Sequence, residues 1–268
     1  MNQNIFSCRI GSFEVFMLVE HQGPGNPGIL LDADPALVKR YIPTGTYNSG
    51  VNAFLLRDGK RIILFDTGFG GQAMESMKGL NVLPKDITAV LITHLHGDHY
   101  SGLEKDGKAF FPAADVLVAE KERDFWVNTD TASRGGPGKS AADVLAPYGN
   151  RVKTFSPGTL AQPETLFPGV GAVAACGHTP GHTAFLIESG DEKLLITGDM
   201  IHVGDVQFPA PDISVSFDTD PAAARSSRRE LLAWAAAGGA AIGGMHLAFP
   251  AVGRVKAEDG GYAFLPAH

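Results

Sequence analysis

The chain has 268 residues, 44% of them hydrophobic and 19% charged, an ordinary balance for a globular protein with room for one large domain or two small ones. Its net charge of −7 excludes the basic footprint of a nucleic-acid or anionic-membrane binder. The two cysteines, Cys8 and Cys176, make no disulfide framework in a chain of this size, and no apolar stretch reaches the ~18 residues of a membrane span.

The opening MNQNIFSCRIGSFEVFMLVEHQ has neither the basic start nor the long apolar core of a signal peptide, so a cytoplasmic location is expected. Residues 6–10 and 13–19 read as strands. Gly23-Pro24-Gly25-Asn26-Pro27-Gly28 opens an irregular region running to about Gly50, broken by a short helix candidate from Pro35 to Tyr41. Residues 51–57 and 62–65 have the pattern of a hairpin turning at Asp58-Gly59, and they lead into Asp66-Thr67-Gly68. A helix candidate at 72–78, strands at 89–93 and 115–119 and a helix at 120–127 follow, then a second loop at 129–139. Further strands fall at 171–176, 183–188 and 193–197. The best-signalled helix spans 222–237, with Asp220 to cap it, Pro221 at its first position and Gly238 to end it. Arg225, Arg228 and Arg229 fall on this helix and read as a solvated or salt-bridged face. No repeat or composition break divides residues 1–268, which read as a single domain. The irregular alternation of elements favours a two-sheet sandwich with helices outside over a parallel βαβ series.

The densest chemical signal follows the apolar run 87–92. Thr93-His94-Leu95-His96-Gly97-Asp98-His99 reads H-x-H-x-D-H. Four ligand-type side chains within six residues would cost on the order of several kcal/mol to bury unpaired. Metal coordination offsets that cost, and imidazole with carboxylate suits zinc and other first-row ions. Three more candidates lie downstream. His178 sits in Cys176-Gly177-His178-Thr179-Pro180-Gly181-His182, Asp199 ends Thr197-Gly198-Asp199, and His246 follows the run 240–245. Each closes a strand-like run and opens a Gly-containing turn, so ligands from separate strands can converge on one rim. Cys176, in a strand-like run, reads as a small buried thiol rather than a ligand.

This ordered set resembles the metallo-β-lactamase superfamily, and Asp66 in Phe65-Asp66-Thr67-Gly68 matches its usual Asp-Thr-Gly. The resemblance covers about residues 50–250. It implies a four-layer αββα sandwich with two metals in a cleft at one edge. Residues 54–68, Ala109-Phe110-Phe111-Pro112, Asp124-Phe125-Trp126, Gly177-His178-Thr179-Pro180-Gly181-His182-Thr183, Val206-Gln207-Phe208, His246-Leu247-Ala248-Phe249-Pro250 and the tail 255–262 are similar to the methyl parathion hydrolase group. That group contains organophosphate hydrolases and relatives that hydrolyse lactones and aryl esters. By this resemblance one metal takes His94, His96 and His178, the other takes Asp98, His99 and His246, and Asp199 bridges them. Zinc is implied first, though manganese, iron and cobalt suit the same donors. Histidine at 96 favours hydrolytic zinc over the redox di-iron branch. Asp199 speaks against a β-lactamase, since antibiotic-cleaving members carry Cys or Ser there. Glyoxalase-type thioesterases share all seven ligands but add a basic C-terminal region for glutathione, which is not found here. A homodimer is implied, formed through about residues 21–50.

Around these ligands, Asp66 is expected to accept a hydrogen bond from a ligand histidine and fix its tautomer, and His182 to buttress the site rather than bind metal. His202 stands three residues after Asp199. Related acyl-homoserine lactonases place a carbonyl-facing tyrosine there, and methyl parathion hydrolase an apolar residue. A histidine can donate to a substrate carbonyl or a developing oxyanion. Val215 and Phe217 are bulkier and less polar than that enzyme's counterparts, which favours a lactone or aryl ester over an organophosphate. Trp126, Phe208, Phe217 and Phe249 are read, with Val215, as an apolar pocket for the leaving group. The expected reaction is attack of a metal-bridging hydroxide on the carbonyl of a small-molecule ester or lactone, with His202 assisting and Asp98 carrying a proton to the leaving group. A phosphotriesterase with the same metals is the alternative. A metal-loaded protein without turnover is a further one, against which the complete ligand set argues.

Overall fold

The computed structural model describes residues 4–127 and 140–268, so the loop expected at 129–139 lies outside the described residues. The first sheet sets seven strands side by side in chain order: β1 (Ile5–Ile10), β2 (Phe13–Gly25), β3 (Tyr47–Arg57), β4 (Ile62–Phe65), β5 (Ala89–Ile92), β6 (Asp115–Ala119) and β7 (Val152–Phe155). The second does the same with β8 (Glu164–Phe167), β9 (Val170–Ala174), β10 (Thr183–Ser189), β11 (Glu192–Ile196), β12 (Ala241–Gly243), β13 (Val252–Glu258) and β14 (Gly261–Pro266). The helices are α1 (Pro35–Tyr41), α2 (Gln72–Gly79), α3 (Gly97–Tyr100), α4 (Glu120–Val127), α5 (Ala141–Leu145), α6 (Gly204–Gln207) and α7 (Pro221–Gly238).

Side-chain alternation explains the layering. Along β3, Phe54 and Leu56 join the core between the sheets, whereas Ala53 and Leu55 face the outer helices. On β5, Ala89 and Leu91 take the inner face and Val90 and Ile92 the outer one. Continuous apolar runs such as 89–92 are therefore strands covered on both sides. Met74 and Met77 of α2, Trp126 of α4 and Val144 of α5 cover the first sheet, while Leu231, Leu232 and Ala235 of α7 cover the second. The result is the αββα sandwich that the family resemblance implied. No helix among the described residues is long and apolar enough to cross a membrane.

Three features differ from the sequence reading. β2 continues to Gly25 and pairs with β3 from Tyr47, so the region between 23 and 50 is less irregular than its Gly and Pro content suggests. Ladder pairing there outweighs local turn chemistry. Strands β7 and β8 and the hairpin β13–β14 escaped the pattern reading. In β7 and β8 few residues are buried, so apolar periodicity is weak. Finally, α7 is capped as expected, with Asp220 accepting from the Ala222 and Ala223 N–H groups at 3.1 and 3.0 Å, but it closes on Gly239 in the left-handed region (φ 66°) rather than on Gly238.

Arg228 corrects the expectation of a solvated arginine face. Arg225 is exposed, and Arg229 pairs with Asp212 at the surface. Arg228 is buried, and its guanidinium donates to the carbonyls of Met200 (2.7 Å), Pro211 (2.9 Å) and Ile213 (3.0 Å). Of the three, only Arg228 falls at helical spacing on the stripe of Ala224, Leu231, Leu232 and Ala235 that faces inward. Arg228→Ala leaves those carbonyls without their donor, and we expect it to cost about 3 kcal/mol of stability in urea unfolding, with Arg228→Lys recovering only part. An unchanged midpoint would count against this role.

Candidate metal centre

Parallel pairing decides where the site forms. β4 with β5, and β11 with β12, are parallel neighbours at the middle of their sheets. Their carboxyl ends therefore share one rim, where ligand positions cluster in open α/β sheets. Asp66 leaves β4, residues 93–99 leave β5, Asp199 follows β11, His246 follows β12, and His178 lies just beyond β9. Bonds between the sheets lock this rim. Gly50 N–H donates to the His246 carbonyl at 3.1 Å, and Thr183 N–H to the Thr93 carbonyl at 3.0 Å. The buried Asn52 amide donates to the carbonyls of Gly244, Met245 and Leu247 at 3.1, 3.0 and 2.9 Å, which fixes the turn carrying His246. Asn52 was missed from sequence, where a polar residue inside an apolar strand was its one visible sign.

All seven expected ligands come together. His94 Nε2 and His178 Nε2 lie 3.0 and 2.9 Å from His96 Nδ1. Asp199 Oδ2 is 3.4 Å from His94 Nε2, 3.2 Å from His178 Nε2 and 3.0 Å from His246 Nε2, while its Oδ1 is 3.1 Å from His99 Nε2. Asp98 Oδ2 stands 3.6 Å from His99 Nε2 and 3.5 Å from His246 Nε2. The ligand atoms of His94, His96, His178 and Asp199 fall within 4.8 Å of one another, and so do those of Asp98, His99 and His246.

Outer contacts turn four of these rings the same way. His99 Nδ1 meets Asp66 Oδ2 at 2.7 Å, His178 Nδ1 meets Asp218 Oδ1 at 2.9 Å, and His246 Nδ1 meets the Gly50 carbonyl at 2.9 Å. His94 Nδ1 lies 3.1 Å from the Thr93 hydroxyl, which itself donates to Asp66. Each acceptor draws the ring proton to Nδ1 and leaves the Nε2 lone pair facing inward. Asp218 escaped the sequence reading because its partner His178 is 40 residues away. Asp66 sits in the left-handed region (φ 56°), which Asp tolerates better than most residues. It also accepts from the Thr93 N–H at 2.8 Å.

Hydrogen bonds alone do not satisfy the cluster. His99 Nε2 and Asp199 Oδ1 face each other at 3.1 Å, yet both are buried and neither makes an aligned hydrogen bond among the described residues. Each such atom costs on the order of 1–3 kcal/mol. Converging imidazole and carboxylate donors are what zinc and related cations bind. The residues fit a binuclear metal centre. Electrostatics divides the rings. Burial pushes His94 down and His96 to about 2. At His99 and His246 the effect of burial is outweighed by Asp199 and Asp98, which lift both, and at His178 by Asp199 and Asp218, which lift it to about 9. Burial works against the Asp199 carboxylate too, yet the surrounding histidines hold it well below the usual range.

The sequence profile of the metallo-beta-lactamase superfamily matches residues 46–246. The chain belongs to that superfamily. It is 28% identical to a solved structure described as the hydrolase AbOPH in the beta lactamase superfamily, with a TM-score of 0.88 over 99% of this chain and 98% of that one. AidC, described as a dizinc quorum-quenching lactonase in complex with its N-hexanoyl-L-homoserine product, is 26% identical with a TM-score of 0.87 over the same shares. The YobT protein of Bacillus subtilis is 29% identical over 149 residues, which is 56% of this chain and 61% of that relative's length.

Within this superfamily site, His182 binds no open position. Its Nδ1 meets the Ala175 carbonyl at 2.8 Å, and its Nε2 accepts from the Asp199 N–H at 2.9 Å. A Cβ on Gly198 would lie 2.3 Å from that Nε2, so only glycine lets His182 hold the Asp199 backbone. His202 is buried. Its Nε2 is 3.1 Å from Asp199 Oδ2, and its ring stacks on His246 at 4.6 Å. The Gln207 side-chain oxygen holds its turn by accepting from the N–H groups of His202 and Val203. The expected pocket residues scatter. Phe217 lies 6.0 Å from the His202 ring and is 40% exposed. Trp126 is buried, its ring crossing that of His96 at 73° with centroids 5.4 Å apart. Phe208 and Phe249 line a neighbouring cavity of ≈ 470 Å³, and Val215 is wholly buried, its N–H on Asp218. Cys176 is half-buried beside Trp126 and Asp218 and belongs to no metal-capable group among the described residues.

Asp66→Ala removes the acceptor that orients His99. We expect zinc affinity at the Asp98, His99 and His246 group to fall about 10–100-fold in a competition titration against a chromophoric chelator, and an unaltered affinity would refute that role.

Proposed function

We propose that the protein is a binuclear-metal hydrolase, zinc-loaded, that opens lactones or cleaves aryl esters. The observation that carries this reading is the Asp199 carboxylate, which reaches histidine nitrogens of both ligand groups at 3.0–3.4 Å. The likeness to a dizinc lactonase over 99% of the chain supports the choice of substrate class. When bound, two divalent cations bring a water to hydroxide near neutral pH and polarise the ester carbonyl.

The chain's own residues supply the rest. The Asp98 side chain is 17% exposed against 2% for Asp199, so it stands at the open side of the site. There it can hold the proton released on attack and hand it to the leaving oxygen. Burial holds His202 at about 4, so the ring is neutral at pH 7 and carries one proton. Its Nε2 faces Asp199 Oδ2 at 3.1 Å; with Asp199 engaged by the cations, we assign that N–H to the substrate carbonyl and to the oxyanion that develops from it. Phe217, exposed beside His202, offers the apolar part of the substrate a surface. A lactone keeps its leaving group tethered, and no covalent enzyme intermediate is required.

His96→Ala and Asp199→Ala are each expected to lower dihydrocoumarin turnover by roughly 10³-fold or more. Full activity after exhaustive chelation would overturn the proposal. His202→Leu is expected to cut lactone turnover by about 10²-fold while sparing or raising cleavage of a paraoxon-type phosphotriester. Equal rates on both substrates would remove His202 from the pocket. A wild-type preference for the phosphotriester over the lactone would shift the reading to a phosphotriesterase with the same metals.

A further inference from the structure

One buried carboxylate has no part in the reaction. Glu122 lies on α4 and is fully buried. Four protein donors converge on it. Oε1 accepts from the Leu95 N–H at 2.9 Å and the Trp126 indole N–H at 2.7 Å, and Oε2 accepts from the Thr179 hydroxyl at 2.7 Å and the Gly181 N–H at 2.9 Å. Leu95 stands between His94 and His96. Thr179 adjoins His178. A single side chain thus ties together the two backbone segments that present the three histidines of one ligand group.

The fit is close. A Cβ on Gly181 would lie 2.3 Å from the Glu122 nitrogen, so the His178 loop and α4 touch backbone to backbone. Trp126, one turn further along α4, sets its ring across that of His96. The other ligand group has its own supports: the Gly50 carbonyl on His246, Asn52 on the His246 turn, and Asp66 on His99, although Asp66 also reaches His94 through Thr93. Among the described residues no hydrogen bond joins Glu122 to Asp98, His99 or His246. The choice of side chain is also specific. An ionised carboxylate offers about four acceptor sites and no donor, which matches four incoming donors. An amide would offer two donors of its own to Thr179 and Gly181. An apolar residue would fill the volume and leave both loops untied.

We propose that Glu122 is a positioning residue for one half of the metal centre. It sets the spacing between the His94–His96 loop and the His178 loop, and through that spacing the affinity for the ion held by His94, His96 and His178. The ion held by Asp98, His99 and His246 is left almost unaffected. The inference rests on the binuclear-metal reading of the site.

The test is zinc titration of the full chain against a chromophoric chelator. Wild type is expected to bind two zinc ions. Glu122→Gln, which keeps the shape, is expected to weaken one of them about 10–100-fold and leave the other within about twofold. Two backgrounds assign the half. In Asp98→Ala, which damages the other group, adding Glu122→Gln weakens the remaining site. In His178→Ala the same addition changes nothing. Thr179→Val removes a single donor and gives a smaller loss at the same site. Excess zinc restores turnover in Glu122→Gln but cannot restore it in His178→Ala. Equal weakening in both backgrounds, or none in either, overturns the inference while leaving the metal centre standing. A wild-type chain that takes up no zinc, manganese or cobalt instead removes the metal reading itself. Should Glu122→Gln fail to fold, Thr179→Val in the two backgrounds decides by the same criterion.

Discussion

A carboxylate ringed by imidazoles is the constraint on which this structure turns. Asp199 lies within 3.4 Å of ring nitrogens from His94, His99, His178, His202 and His246. Burying so many polar atoms is unfavourable unless each finds a partner, and ring protons cannot satisfy them all at once. The protein meets this by fixing the outward nitrogen of four rings and leaving the inward lone pairs for cations. Even the Asp199 backbone is held, through His182 and the close approach at Gly198.

Every layer of the sandwich contributes to that geometry. The first sheet supplies Asp66, Asn52 and the Gly50 carbonyl. Helix α4 supplies Glu122 and Trp126 on the opposite side. Helix α7 acts at longer range: buried Arg228 ties the Met200 turn to residues 211–213 and lies 3.8 Å from Asp218, which orients His178. Stability and metal positioning are thus carried by the same hydrogen bonds. Both ligand groups draw on the loop after β5 and on Asp66, but Glu122 bonds only beside the His94, His96 and His178 group, while the Gly50 carbonyl and Asn52 hold His246.

The scaffold is shared with solved structures only 26–28% identical over nearly the whole chain. Such a site supports more than one hydrolytic reaction, because its electrophile is chosen by the few side chains next to the ions. On the function proposed above, that part falls to His202, stacked on His246, and to Phe217 beside it.

Much of this was readable from residue order. The H-x-H-x-D-H run, the histidine and aspartate turns after apolar strands, and the Asp220-Pro221 cap all lie within a few residues of the structure they specify, because backbone periodicity writes itself into local spacing. Glu122, Asp218, Asn52 and Arg228 were not readable. Each has a partner far along the chain, 27, 40, 195 and 28 residues away, and a charged side chain on a helix is ordinarily read as solvent-facing even where, as at Arg228, it shares the apolar stripe. Residue order named the candidate ligands that converge here and the strands that deliver them. Tertiary packing alone chose the groups that aim them, since a buried charge is tolerated only where donors from distant segments arrive together.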